Sequence, residues 1–239
     1  QMLAVLRMCI AGHPHASVFA FNVATQARGE DVDLTLGLSL GGVRTEVLER
    51  HAFVESCLQS RPICTASSTC VRASEFHAAG GFQRSLRYCE DPELWARLSA
   101  LHNIVHINAC LALYRDVPMS LSYGLRAQPG SVQPYVNTLL SLGGHQGDPY
   151  YRLARLMILK NVVFSLTMGA SRKEILGYLL TTSKFMPIVQ LMALQFLVFL
   201  PRQALRIPFQ LRAWRARRRK FCHCRAGDAG GGDIYKDWH

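Results

Sequence analysis

The sequence holds no Cys-x-x-Cys pair, no apolar run long enough to span a bilayer, and no acidic residue between Arg202 and Arg225. The first absence excludes the paired-thiol frameworks of zinc ribbons and dithiol redox centres. The eight cysteines (Cys9, Cys57, Cys64, Cys70, Cys89, Cys110, Cys222 and Cys224) lie mostly in apolar contexts. They read as buried free thiols of a reducing compartment. Cys222-His223-Cys224 offers metal donors with no second ligand pair after it, and the plainer reading is a solvated tail. The opening apolar run, Gln1–Ile10, has neither a basic leader region nor a small-residue cleavage site. It does not read as a signal peptide, and its start in mid-pattern reads as an internal cut. Charged residues are scarce at 18%, against 49% hydrophobic, a balance that excludes a disordered chain and favours a globular core.

The second and third absences meet in one region. Residues 185–200 (FMPIVQLMALQFLVFL) are apolar but carry Pro187, Gln190 and Gln195, and Pro201 closes the run. A spanning helix needs about 20 apolar residues to cover about 30 Å of hydrocarbon. An interfacial or re-entrant placement fits better. Nine basic residues follow between Arg202 and Arg225, and without them the net charge of +11 falls to +2. Basic character therefore belongs to one segment, whose expected partner is an anionic membrane surface. Nucleic acid is not expected, because the stretch adjoins an apolar segment and has little lysine or aromatic interleaving.

Elsewhere, local signals divide the chain. Residues 16–23 (ASVFAFNV) read as a strand, and residues 29–42, rich in glycine, as loop. Val47, His51, Val54 and Leu58 follow helical spacing and predict one amphipathic helix over 45–58. Residues 63–72 (ICTASSTCVR) predict a second strand, and 73–79 a short helix stopped by Gly80-Gly81. Asp91-Pro92-Glu93 predicts a helix start with Asp91 at the N-cap. Residues 104–107 and 110–114 predict two short strands. Glycines and prolines from Gly124 to Gly147 mark a linker with a short helix over 135–142. Asp148-Pro149 launches a long helix to about Met168, and Ser171-x-x-Glu174 is a capping box for the next.

Residues 63–122 carry four motifs in register. Ile63-Cys64-Thr65-Ala66-Ser67-Ser68 is followed by Arg72, Phe76 and Gly80-Gly81-Phe82, then by Glu90-Asp91-x-x-Leu94-Trp95-x-Arg97, and finally by Leu113-Tyr114-Arg115 with Ser120 and Ser122. Together they resemble the C-terminal half of the catalytic domain in family 2 (GT-A type) glycosyltransferases, and residues 12–58 are compatible with it. The resemblance implies an α/β fold: a partial GT-A, nucleotide-diphospho-sugar transferase-like mixed sheet with helices, followed by a helical C-terminal region. It places the acceptor-side half at 1–123, a linker at 124–147, a helical extension at 148–184, basic membrane-associated helices at 185–225 and a disordered tail at 226–239. The implied activity is inverting transfer from a nucleotide-sugar donor to a cell-surface glycan or lipid acceptor, at the cytoplasmic face of the membrane.

Such transfer needs a base within hydrogen-bond reach of the acceptor hydroxyl. By resemblance that base is Asp91, with Glu90 orienting or binding acceptor; Asp91 is equally suited to capping. Thr65, Ser67 and Ser68 either line the acceptor side or are satisfied within the fold. Gly81 is a substrate contact or a helix stop. Arg97 pairs with Glu93 at i,i+4 or faces the diphosphate, and Arg115, in the closing motif, is a substrate contact by resemblance. The family uses a divalent ion, Mg or Mn, held by an Asp-x-Asp pair in an N-terminal half that has no counterpart here; Asp31-x-Asp33 comes too late and reads as an accidental match. Asp116-Val117-Pro118 stands where many relatives carry a His, and Gln83 where an acid is common. The contrasting expectation is a non-catalytic, membrane-docked binding module that retains the fold in degenerate form.

Overall fold

The computed structural model describes residues 2–26, 42–59, 63–115, 125 and 127–200. Its centre is a mixed four-stranded sheet in the order β2-β4-β1-β3, formed by β1 (Val18–Gln26), β2 (Thr45–Leu48), β3 (Thr69–Val71) and β4 (Ile104–Arg115). β1 and β4 run parallel in the middle, and β2 and β3 are antiparallel edges. The run Val18-Phe19-Ala20-Phe21 is apolar throughout because both faces of β1 are covered. Side chains alternate across the pleat. Phe19 and Phe21, with Val105 and Ile107 of β4, pack under α1 (Met2–Gly12), whose Val5 and Cys9 face them. Val18, Ala20 and Ile104 point the other way, into the main core.

That main core is built by helices. α2 (Ala52–Leu58) supplies Phe53 and Val54, and α4 (Glu90–Leu101) supplies Leu94, Trp95 and Leu98. α5 (Gln133–Leu142), within the sequence-predicted linker, buries Tyr135, Val136 and Leu139 in the same core. α6 (Pro149–Met168), α7 (Arg172–Thr182) and α8 (Ile188–Phe199) complete it, and α3 (Ala73–Ala78) leads into the Gly80-Gly81 turn. The expected starts of α6 and α7 and the expected end of α6 are present. Asp148 Oδ1 accepts the Tyr150 N–H at 2.8 Å, and Gly169, at φ 91°, ends α6. Ser171 and Glu174 cap each other reciprocally at the start of α7. Among the described residues, no helix is long and apolar enough to cross a membrane.

Four local expectations are corrected. Residues 45–58 are not one helix: 45–48 form β2, paired with Ile107–Ile104 of β4, and only Ala52–Leu58 is helical. His51 separates them at φ 74°, a left-handed conformation no α-helix can run through. The strand expected over 63–72 shrinks to 69–71, because 65–68 close into a hydrogen-bonded turn. The two short strands at 104–114 are one, β4, with register shifts opposite Phe21, Asn22 and Val23. Asn108, between the two expected strands, sits at this irregularity. Its side chain accepts the Arg44 N–H at 2.7 Å while its own N–H bonds Arg44 O. Finally, Cys89 and not Asp91 is the N-cap of α4; it sits at φ 64° and its carbonyl accepts the Glu93 N–H.

Candidate functional site

α4 begins with three acids in its first turn, Glu90, Asp91 and Glu93. Negative charge is favoured there by the unsatisfied N–H groups and the helix dipole, and Pro92 costs nothing where its missing N–H has no intrahelical partner. The three acids then diverge. Glu90 is exposed, Asp91 is half-buried and Glu93 is fully buried. Asp91 Oδ2 accepts the Ala66 N–H at 3.3 Å, tying the start of α4 to the turn that follows Cys64.

That turn is largely self-satisfied. Ser68 N–H donates to Thr65 O, the Thr65 and Ser68 hydroxyls meet at 2.8 Å, and Thr65 N–H donates to Ser68 Oγ at 3.2 Å. Ser68 is fully buried, and its carbonyl accepts Phe21 N–H from β1. Ser67 alone of the three hydroxyl residues is exposed. Beside them, burial pushes the Cys64 thiol up to about 12, with a weaker opposing pull from the Thr69 side chain, and Cys57 is raised to about 12 for the same reason. Burial thus favours the neutral thiol at both, the weaker nucleophile.

Glu93, expected from the sequence as part of a helix start and as a possible partner of Arg97, is the centre of a second cluster. Arg97 donates to it through Nε (2.8 Å) and Nη2 (2.7 Å). Gln83 Nε2 donates to Oε1 at 2.7 Å, and Thr138 Oγ1 of α5 to the same oxygen at 2.9 Å. The guanidinium is further engaged by Gly81 O at 2.7 Å and by Ala79 O. Arg97 thus holds the 79–83 loop against α4. Gln83 also finds its physical reason: an acid there would meet the buried Glu93 carboxylate. Gly81, buried at φ 63°, serves the turn, and a Cβ on it would come 3.1 Å from the Phe76 ring. The i,i+4 spacing of Glu93 and Arg97 was the legible signal; Thr138, far along the chain, gave none.

The structure therefore brings Asp91, Thr65 and Ser68 together, with Glu90 next to Asp91 in the chain, and assigns Arg97 and Gly81 to the loop clasp. Arg115 ends β4 opposite Gln26, but its side chain lies outside the described residues, as do Asp31, Asp33, 116–124 and the basic segment 202–225. Among the described residues, no three His, Cys, Asp or Glu side chains converge as ligands for a divalent ion. The chemistry these residues offer by themselves is proton acceptance by Asp91 and hydrogen bonding from the turn. Compared with family models, curated proteins and solved structures, the chain matches none.

Proposed function

We propose that this chain is the acceptor-side half of an inverting family 2 sugar transferase, with Asp91 as the general base for the acceptor hydroxyl. The observation that carries this reading is the placement of Asp91: first turn of α4, half-exposed, one oxygen steadied by the Ala66 N–H. A base held by a single backbone contact keeps its other oxygen for an incoming hydroxyl. In this reading Glu90, exposed and adjacent, orients acceptor, and Ser67 is the exposed hydroxyl of the turn. The donor diphosphate and its divalent ion belong, in this reading, to the half of the domain that the motifs here do not cover.

The test is a transfer assay on the natural polypeptide bearing this segment, with uridine and guanosine diphosphate-sugars. Asp91→Asn should lower kcat by about 10²–10⁴-fold, the range for a lost general base, with donor KM and unfolding midpoint unchanged. Unaltered turnover would remove Asp91 from the chemistry.

One observation favours a second reading, a non-catalytic binding module. Thr65 and Ser68 satisfy each other and Arg97 is engaged by the loop clasp, so much of the expected substrate-contacting polarity is spent on the fold. On this reading the wild-type polypeptide transfers no sugar, and Asp91→Asn changes only the stability of the 65–68 turn.

A further inference from the structure

The last described helix, α8, is anchored by Leu194 and Val198, which are buried in the main core. Its other side is apolar and uncovered. Ile188 and Val189 are each 73% exposed, Met192 63%, Phe196 67% and Phe199 64%. At about 100° per residue these five fall within an arc of about 100°, opposite the two anchors. Singly exposed apolar residues are ordinary; a continuous stripe containing two phenylalanines is not.

The electrostatic setting of this stripe is one-sided. Glu174 is the last acidic residue before Asp228, and ten basic residues lie between them: Lys184 ahead of α8 and nine from Arg202 to Arg225 after it. Lys184 is exposed, with Nζ 4.8 Å from the Phe185 ring centre. Arg172 donates to Leu200 O just past the end of α8. Cations at both ends and the absence of acids disfavour a second copy of the chain as the covering partner, since two such faces would repel. They favour a partner that is apolar at depth and negative at its surface. At 12 residues α8 is about 18 Å long, against about 30 Å of hydrocarbon. Because its opposite side is packed into the core, it offers only one face.

We infer that the Ile188–Val189–Met192–Phe196–Phe199 face of α8 docks in the plane of an anionic lipid bilayer, a surface that the cationic character of residues 184–225 favours. The stripe enters the acyl boundary while the core-facing side keeps the sheet above the surface. The cations add long-range attraction, and neither element alone gives strong binding. This inference does not rest on the sugar-transfer reading.

The full chain is sedimented with vesicles of equal parts phosphatidylcholine and phosphatidylglycerol, and with phosphatidylcholine alone. Binding to the anionic vesicles is expected, weakened by raised salt. Met192→Glu with Phe196→Glu, both at exposed positions, should lower partitioning at least about tenfold, with circular dichroism unchanged. Gln replacing Arg215, Arg217, Arg218 and Arg219 should lower binding and flatten its salt dependence. Equal binding to both vesicle types, or wild-type binding by the Met192/Phe196 variant, overturns the inference. So does an outcome in which that variant abolishes self-association of a chain that binds no vesicles, because a second copy would then own the face.

Discussion

Replacing Arg97 by Met separates the two roles its sequence position allowed. Glu93 is fully buried, and the Arg97 side chain is only 17% exposed, so their 2.7 Å ion pair is shielded from solvent. Without the guanidinium, Glu93 keeps two neutral donors, Gln83 and Thr138, against a full negative charge. Ala79 O and Gly81 O lose their donor as well. Removing one partner of a buried pair costs about 3–5 kcal/mol, since the remaining charge is left uncompensated. In a chain of this size that corresponds to a fall in Tm of about 6–20 °C, a large part of a typical total stability. Urea unfolding of Arg97→Met, Glu93→Gln and the double variant provides the measurement. The double variant should be less destabilised than the sum of the singles, because it no longer buries a lone charge. If Arg97→Met costs less than about 1 kcal/mol, the clasp is not holding the 79–83 loop, and the arginine is available to a ligand after all.

Gly81→Ala should destabilise by about 1–2 kcal/mol for its left-handed backbone, and by more than Gly80→Ala, because only at Gly81 would the added carbon meet Phe76; equal midpoints in urea would refute the crowding. His106 is buried, and its Nε2–H donates to Asn22 Oδ1 at 3.1 Å. Burial holds its pKa below the ordinary 6.5, with Glu46 pulling weakly the other way. A depressed folded value means the folded protein resists protonation more than the unfolded chain. Its contribution to stability is therefore present above about pH 6.5 and declines as pH falls from there through the folded value. His106→Gln should flatten that part of the stability–pH curve, and an unchanged slope would place the effect in other groups.

Glu93 joins this stability problem to the candidate site. The carboxylate two residues before it, Asp91, is offered to solvent by the same helical turn that Glu93 locks to the loop and to α5. The clasp sets where α4 begins, and hence where Asp91 stands relative to the 65–68 turn. A variant of Glu93 would consequently disturb Asp91 geometry as well as stability, whereas on the proposed sugar-transfer reading Asp91→Asn should disturb chemistry alone.

What could be read from the sequence lies where a residue is satisfied by neighbours a few positions away. Asp148 caps Tyr150, Ser171 and Glu174 cap each other, Gly80 and Gly81 turn the chain, and Val18–Phe21 is apolar on both sides of a strand. Each needs only local backbone geometry, and each was legible as a pattern. Tertiary structure decided the rest. Residues 45–48 carry a helical spacing but become β2, because the open edge of β4 supplies their hydrogen bonds and His51 breaks the helix. Asn108 continues β4 because Arg44 meets both its side chain and its backbone. Arg97 carries a motif position but is consumed by two carbonyls and a buried acid, and Thr138 completes that acid from another helix. In each case the partner is remote in sequence, so the energy that selects the conformation exists only once the chain has packed.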